Sequence, residues 1–346
     1  MSMTPRDRVL AAMKQEKLDR PPVAIFTQSA TVGQMDWSGA AWPEAHKDAN
    51  LMAKLAAAQA DMFGFEAVRA SFCLTAEAER LGCVVAVDKK DAAPMIKKHP
   101  FKFDPMSGEY DDPATSVMAP EEFIKEGRVK VIQDAVALLK KSHGENYAIV
   151  AGNTGPFTLA GHMVSTENLV FGMMMAPEEV DKWVATMTPI VKVYSQALID
   201  AGADIVQCSE PSGSTDMLAP DMFEEAAGNS VRHSLAEVSG MSVLHICGDT
   251  YPILDQMANT GVTGLSVEEK VDSYKAVEKV NGKVALVGNV GSVRPLFQGT
   301  PEEVKAGAEY SAKAGFNVIS SGCGIAPCTS NENMQAMVDA IKAFKY

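Results

Sequence analysis

The fold of this chain is decided by three short segments: Ser242-Val243-Leu244-His245-Ile246-Cys247, Gly264-Leu265-Ser266-Val267-Glu268 and Val284-Ala285-Leu286-Val287-Gly288-Asn289. Each is apolar, rich in Val, Leu and Ile, and long enough for one buried strand. Helical stretches are predicted near 220–238, ahead of the first segment, and at 251–259, between the first two segments. Strands that alternate with helices predict a parallel sheet with helices packed on its faces.

The same alternation extends in both directions along the chain. Further strands are predicted to start near residues 22, 66, 147, 204 and 317, which brings the total to eight, each followed by a helical stretch. No proline- or serine-rich linker divides the chain, and neither a G-x-G-x-x-G after the first strand nor a P-loop supports a nucleotide fold. We therefore expect one α/β domain over residues 1–346, a (β/α)₈ TIM barrel.

Capping patterns and one irregular segment refine this prediction. Thr4 and Pro5 predict the start of an N-terminal helix, because Thr caps helices and Pro suits their first position. Capping boxes are predicted at Thr300-Pro301-Glu302-Glu303 and at Thr329 with Glu332, ahead of the last two helices. The stretch 83–125 lacks the regular rhythm, so we interpret it as an insertion after the second strand.

Composition restricts the partners and the compartment. The 346 residues include 31 Lys and Arg and 44 Asp and Glu, a formal net charge of −13. Nucleic acids and anionic membranes attract basic surfaces, so we expect neither as a partner. The start of the sequence lacks the apolar core of a secretory signal, and no window approaches a membrane span. We expect a cytoplasmic protein whose six cysteines stay reduced and available as metal ligands.

The ends of the predicted strands carry a candidate metal site, because the active site of a TIM barrel lies there. His245 and Cys247 are two residues apart on one strand and share a face, and Cys323 follows the last strand. One imidazole and two thiols suit zinc, and an exchangeable fourth position is typical of catalytic zinc. Two alternatives stay open at this point: ordinary packing of buried cysteines, and a cysteine nucleophile.

The fourth ligand is less defined by the pattern. Glu268 and Glu269 follow the strand that lies between the two ligand-bearing strands, and either carboxylate is a candidate. Cys208, at the end of the fourth strand, is a third candidate. The other expectation for each is ordinary: a solvated loop charge for the glutamates and packing for the cysteine.

Four segments resemble a known enzyme group: His245-Ile246-Cys247-Gly248, residues 264–270, residues 287–289 and residues 322–327. They are similar to the methylcobamide:coenzyme M methyltransferases, a zinc-dependent branch of the uroporphyrinogen decarboxylase-like family. The resemblance covers nearly the whole chain. It implies a TIM barrel with zinc held by the histidine and two cysteines, and Glu268 or Glu269 in the fourth place when no substrate thiol is bound.

The resemblance also implies an activity. A methyl group would pass from a methylated corrinoid, brought by a carrier protein, to a zinc-bound thiolate, with coenzyme M as the first candidate thiol. The cofactor would be Zn²⁺ and the methylated corrinoid a co-substrate. The sulfonate of coenzyme M needs a donor, and Arg69 is a candidate unless it forms a surface ion pair. Further polar groups at strand ends, for the substrate or the corrinoid, are Gln28, Asn153 and Asn289.

Three other functions stay open. A substrate:corrinoid methyltransferase of the same family would move methyl onto cobalt instead of from it. A porphyrinogen decarboxylase would carry arginines after the first strand and an aspartate after the second, whereas residues 27–32 hold no arginine and residues 71–74 no aspartate. A non-catalytic zinc- or corrinoid-binding barrel would bind these ligands without turnover.

Overall fold

The computed structural model describes residues 3–346, so residues 1 and 2 of the predicted domain lie outside the described residues. Its strands, in chain order, are β1 (Ala67–Ala70), β2 (Val84–Ala86), β3 (Met95–Lys98), β4 (Phe103–Asp104), β5 (Glu109–Tyr110), β6 (Ala148–Thr154), β7 (Ile205–Ser209), β8 (Met241–Ile246), β9 (Gly264–Val267), β10 (Ala285–Val290) and β11 (Val318–Ser321).

The helices alternate with these strands. They are α1 (Pro5–Met13), α2 (Val32–Ser38), α3 (Ala49–Phe63), α4 (Ala76–Arg80), α5 (Pro113–Ser116), α6 (Pro120–Phe123), α7 (Gly127–His143), α8 (Pro156–Val164), α9 (Thr166–Met175), α10 (Pro177–Asp200), α11 (Asn229–Leu235), α12 (Leu254–Ala258), α13 (Ser273–Val280), α14 (Pro301–Ala314) and α15 (Asn331–Ala343). None of the helices described over residues 3–346 has the length and apolar character needed to cross a membrane.

Seven strands form one parallel sheet in the order β1-β6-β7-β8-β9-β10-β11. Apart from β2 to β5, which form separate sheets, this is the order of the chain. That order is expected when a helix connects each strand to the next parallel strand beside it. The predicted α/β class and parallel sheet are therefore confirmed. All seven strands start within one residue of the predicted positions.

The strand predicted at 22–28 is reduced to a single bridge. Val23 forms an isolated parallel bridge with Ile319 of β11, and its carbonyl accepts the Glu66 N–H at 2.8 Å. The segment thus contacts both edges of the seven-stranded sheet. Pro21 and Pro22 precede the bridge and lack N–H donors, which removes two potential ladder hydrogen bonds.

The segment from residue 83 to 125 stands apart from the main sheet. It contains two small antiparallel pairs, β2 with β3 and β4 with β5, followed by the short helices α5 and α6. The Phe103 ring of β4 is buried and its carbonyl accepts from Asn168 of α9 at 2.9 Å, so the segment packs against that helix.

Helix α1 closes one end of the sheet's inner face. Val9, Ala12 and Met13 pack in one buried cluster with inward side chains such as Val150 of β6 and Val243 of β8. Thr4 and Asp7 form a capping box and Pro5 occupies the first turn, which confirms the predicted helix start. Because α1 fills the end where the strands begin, only their carboxyl ends stay open to a ligand.

Three local predictions meet different outcomes. The capping box at Thr300 is confirmed, with its hydroxyl accepting from the Glu303 N–H. The box at Thr329 is wrong: Thr329 lies in a turn closed on Ala326, and the extended Ser330 caps α15 instead. The helix predicted over 220–238 is broken into a 3₁₀ turn, a π-helical turn at Glu224–Gly228 and α11.

Candidate metal centre

His245, Cys247 and Cys323 converge at the carboxyl ends of β8 and β11. His245 is the penultimate residue of β8, Cys247 follows that strand directly, and Cys323 lies two residues beyond β11. Their ligand atoms all lie within 4.8 Å of one another, and His245 Nε2 is 3.8 Å from Cys323 Sγ. A tetrahedral zinc with one nitrogen and one sulfur ligand separates these atoms by about 3.6 Å. The donor set therefore fits a zinc ion.

A serine on the neighbouring strand fixes the orientation of the imidazole. Ser266 of β9 is the register partner of His245, and its Oγ lies 3.0 Å from His245 Nδ1. The Ser266 carbonyl lies 3.3 Å from the same nitrogen. A proton on Nδ1 satisfies these oxygens and leaves the lone pair of Nε2 directed toward the cysteines, as metal-ligating histidines require.

The two glutamates after β9 hold the loops that carry the cysteines. Glu268 Oε2 accepts the Gly248 N–H at 2.6 Å, directly after Cys247. Glu269 Oε1 accepts the Ser292 N–H at 3.2 Å, and the Ser292 hydroxyl accepts the Cys323 N–H at 2.9 Å. The two carboxylates therefore connect the end of β9 to the loop of Cys247 and, through Ser292, to the loop of Cys323.

The candidates for a fourth ligand lie at different distances from this cluster. Glu268 is half-buried and one hydrogen bond from the residue after Cys247, whereas Glu269 is exposed and turned toward Ser292. Cys208 is fully buried in the outer core between the sheet and its helices, and burial raises its pKa well above the usual thiol value. Among the three, only Glu268 directly bonds a ligand-bearing loop segment next to a thiol.

The two thiols are hydrogen-bonded to each other. Their hydrogen bond lowers the pKa of Cys247 and raises the pKa of Cys323, so Cys247 is the better thiolate of the pair. Both cysteines are free and half-buried. A metal ion would bind both sulfurs as thiolates and release their protons.

Arg69 lies on β1 and is fully buried. Its guanidinium donates from Nε to the Phe26 carbonyl at 2.9 Å, from Nη1 to the Ser71 carbonyl, and from Nη2 to Gln207 Oε1 at 3.0 Å. It forms no surface ion pair, which was the alternative expected for it. Gly152 of β6 makes room for the guanidinium, because a Cβ there would lie 2.0 Å from Nη2.

The three other polar candidates divide between the two faces of the sheet. Gln28 is half-buried at the mouth and donates to Ser209 Oγ at 3.1 Å. Asn153 faces α10, where it donates to Ser195 Oγ at 2.7 Å. Asn289 accepts from serines of α13 and α14, at 2.8 and 2.9 Å. The structure thus brings Gln28 to the site but turns both asparagines toward the outer helices.

A mostly apolar cavity of about 270 Å³ opens beside the metal centre. Its lining includes Gly324 and Ser292, the neighbours of Cys323, and the rings of Trp42, Phe72 and Phe297. No lysine, arginine, aspartate or glutamate lines it. The side of the centre next to Cys323 therefore offers a largely uncharged wall.

Several residues that shape this site were not predicted from the sequence. Ser266, Ser292, Gln207 and Ser209 are neutral and have no distinctive spacing. The available signal was strand register: Ser266 and Ser209 are the partners of His245 on the two adjacent strands. That register becomes certain only when the strands are paired.

Comparison with known proteins places the chain among its relatives. The family model described as uroporphyrinogen decarboxylase (URO-D) matches residues 4–344. The chain belongs to this family. Within it, the chain is 34% identical to the methylcobamide:CoM methyltransferase MtaA of Methanosarcina barkeri, over 97% of both chains. It is 35% identical to the methylcobamide:CoM methyltransferase MtbA of Methanosarcina acetivorans, over 99% of both.

A solved structure agrees with these relatives. A methyltransferase from Methanosarcina mazei superposes with a TM-score of 0.91 and 36% identity, covering 99% of both chains. The resemblance found in the sequence is confirmed, and this URO-D family member is a methyltransferase.

Proposed function

We propose that this chain transfers a methyl group from a methylated corrinoid to a thiol, with coenzyme M as the first candidate, at a zinc site formed by His245, Cys247 and Cys323. The observation that carries the proposal is the convergence of these three ligand atoms within 4.8 Å at the open end of the sheet. The names of the relatives support the corrinoid donor and the coenzyme M acceptor.

Zinc would supply Lewis acidity, which lowers the pKa of a bound thiol so that thiolate is present at neutral pH. The chain's own residues prepare this site. Ser266 keeps the proton of His245 on Nδ1, and Ser292 and Glu268 hold the backbone next to the two cysteines. We assign Glu268 as the fourth ligand when no thiol is bound, with Glu269 and Cys208 as the weaker candidates.

The methyl transfer balances without an added oxidant or reductant. A carbon–sulfur bond forms to the thiol, the cobalt–carbon bond breaks, and its electron pair stays on cobalt, which becomes cobalt(I). The thiol proton leaves to solvent. The uncharged wall beside Cys323 suits a corrin ring brought by a carrier protein, because it excludes water from the path of the methyl group.

The proposed function also implies a closed barrel. We propose that the segment at Val23 is the eighth strand, which closes the sheet into a (β/α)₈ barrel through its contacts with Ile319 and Glu66. Residues 83–125 would then be an insertion in a single domain. Arg69 and Gln28 would act on the substrate side of the site, while Asn153 and Asn289 would support the strand ends from the outer helices.

Methylcobalamin and coenzyme M test the proposal. We expect the zinc-loaded protein to convert them to methylated coenzyme M and cob(I)alamin, followed by the change in corrinoid absorbance. Zinc removal by a chelator should abolish turnover and zinc addition should restore it. Methylation of free corrinoid by methoxy or methylamine compounds, with no thiol methylation, would contradict the proposal and favour the reverse type of methyltransferase.

A further inference from the structure

Arg69 is a buried cation that forms no ion pair. All eight arginines of the chain lie among residues 3–346, and seven of them form ion pairs with a carboxylate. Arg69 forms none, although its side chain is fully buried. The two other buried arginines, Arg8 and Arg128, are both paired. Buried charges are normally paired, so a buried arginine with no carboxylate at ion-pair distance leaves a place for another anion to compensate it.

Arg69 does not itself reach the open end of the barrel, because its side chain is fully buried, and its Nε, Nη1 and Nη2 each donate to a protein oxygen. One of these oxygens is Gln207 Oε1, and this contact fixes the orientation of the Gln207 amide, since arginine cannot accept a hydrogen bond. The opposite atom, Gln207 Nε2, then donates to Ser209 Oγ at 2.8 Å. The hydrogen bonds therefore run in one direction, from the cation toward the mouth.

Ser209 is the last residue of this hydrogen-bond series on β7, and one donor of the Ser209–Gln28 pair is left unused. Its oxygen accepts from Gln207 and from Gln28, which uses both lone pairs, and its hydroxyl proton has no acceptor among the described residues. If the Gln28 amide is rotated, the serine donates to Gln28 and the Gln28 amide N–H₂ becomes the free donor. In either arrangement the chain presents a donor that the buried cation polarises through a cooperative series of hydrogen bonds.

This donor lies beside the metal centre. Ser209 is the register partner of His245 on the adjacent strand, so their backbones run about 5 Å apart. Gln28 lies against the loop of Cys323, since its carbonyl accepts the Ile325 N–H at 2.9 Å. A ligand held by the metal centre through sulfur would carry its other end past the Gln28 side chain.

We propose that Arg69, Gln207 and Ser209, with Gln28, form a directional hydrogen-bond chain that binds the anionic group of the thiol substrate. Gln28, which is half-buried at the mouth, contacts the anion, and the fully buried Ser209, Gln207 and Arg69 are positioning residues that act through it. This inference rests on the proposed function, because it assumes that the sulfur end of the same ligand occupies the metal centre. The hydrogen-bond chain would favour binding of thiols with a short anionic tail over binding of neutral thiols.

Two thiols that share a two-carbon spacer test the selection. Coenzyme M is the anionic member and 2-mercaptoethanol the neutral one, and each is titrated calorimetrically into the zinc-loaded protein. We expect Ser209→Ala to weaken binding of the anionic thiol roughly tenfold or more relative to the neutral thiol. Gln207→Glu should have a similar effect, because the new carboxylate neutralises Arg69 and removes the donor to Ser209 while it preserves side-chain size.

A matched control and a second ligand separate this inference from the proposed function. Ser320→Ala removes an equally buried serine of β11 that accepts from the Phe26 N–H, and it should leave the ratio of the two affinities unchanged. Ethanesulfonate, which lacks a thiol, is titrated into metal-free protein, where its binding should also depend on Ser209. Equal losses for both thiols in Ser209→Ala, or no loss for either, would overturn the inference even if methyl transfer is observed. Ser209-dependent binding of ethanesulfonate without any thiol methylation would support the anion site and overturn the proposed function alone.

Discussion

Replacing Ser266 with alanine tests how the chain prepares its histidine for a metal. The Ser266 hydroxyl lies 3.0 Å from His245 Nδ1 and is fully buried on β9, away from the two cysteines. The substitution deletes this contact without touching a ligand atom. The Ser266 carbonyl, 3.3 Å from Nδ1, stays in place and still accepts the imidazole proton.

The expected loss follows from these two contacts. Removing an outer partner of a metal-ligating histidine typically lowers metal affinity about 10- to 100-fold. Because one of the two acceptors of Nδ1 survives, we expect the lower end of this range, about tenfold or ~1.4 kcal/mol. Ser266→Thr keeps the hydroxyl and should recover most of the affinity.

Competition with a chromophoric chelator measures this loss directly. The matched control is Ser234→Ala, a fully buried serine of α11 whose hydroxyl donates to the Val231 carbonyl far from the site. It should bind zinc as the unmodified chain does. Unchanged zinc affinity in a folded Ser266→Ala variant would refute the assignment of Ser266 as the group that orients His245.

The remaining predictions concern a ligand, a buried acid and a helix cap. Cys323→Ser removes a proposed ligand and should lower zinc affinity by more than about 100-fold, the largest loss expected when only an outer partner of a ligand is removed. Cys328→Ser, at an exposed cysteine, should leave zinc affinity unchanged. Equal metal content in the two variants would contradict the ligand assignment. Burial raises the pKa of Glu77 from 4.5 to about 7, so the free energy of unfolding should fall as the pH rises through this window. Denaturant unfolding at several pH values should show a smaller fall in Glu77→Gln, and an identical fall would contradict the assignment. Thr300→Ala removes the cap of α14 and should destabilise the chain by about 1 kcal/mol in thermal unfolding; no change would show that the cap is not stabilising.

Much of the parallel sheet can be predicted from the sequence because its strands are short apolar runs between helical segments. This holds from β1 to β11 for the seven strands of the main sheet. It fails at 22–28, where the apolar run is equally strong but two prolines limit pairing to Val23. It also misses α2, although Thr31 and Gln34 form a capping box that the sequence contains as a T-x-x-Q pattern.

The cluster of His245, Cys247 and Cys323 is predictable because strand ends and side-chain alternation are local properties. His245 and Cys247 share a face by spacing alone, and the end of the last strand brings Cys323 to the same rim. Asn153 shows the limit of this reasoning. It lies at a strand end, yet its register partner is the outward-facing Cys208, so its side chain meets the helices.

The hydrogen-bond chain proposed to bind the anion cannot be predicted from residue spacing. Gln207 and Ser209 lie two positions apart on β7, and nothing in their identity distinguishes them from other buried polar residues. Their role depends on Arg69, which lies 138 positions from Gln207 along the sequence. Only the three-dimensional pairing of β1, β6 and β7 brings these side chains together.

X-ray absorption at the zinc edge tests the central claim most directly. The account predicts two sulfur ligands and one imidazole in the zinc-loaded chain, with the fourth position filled by an oxygen. Addition of coenzyme M should replace that oxygen with a third sulfur, and Cys323→Ser should lower the sulfur count by one or abolish zinc binding. If the zinc environment stays the same after coenzyme M is added, in a preparation that methylates coenzyme M, the claim that this cluster holds the substrate sulfur would be contradicted.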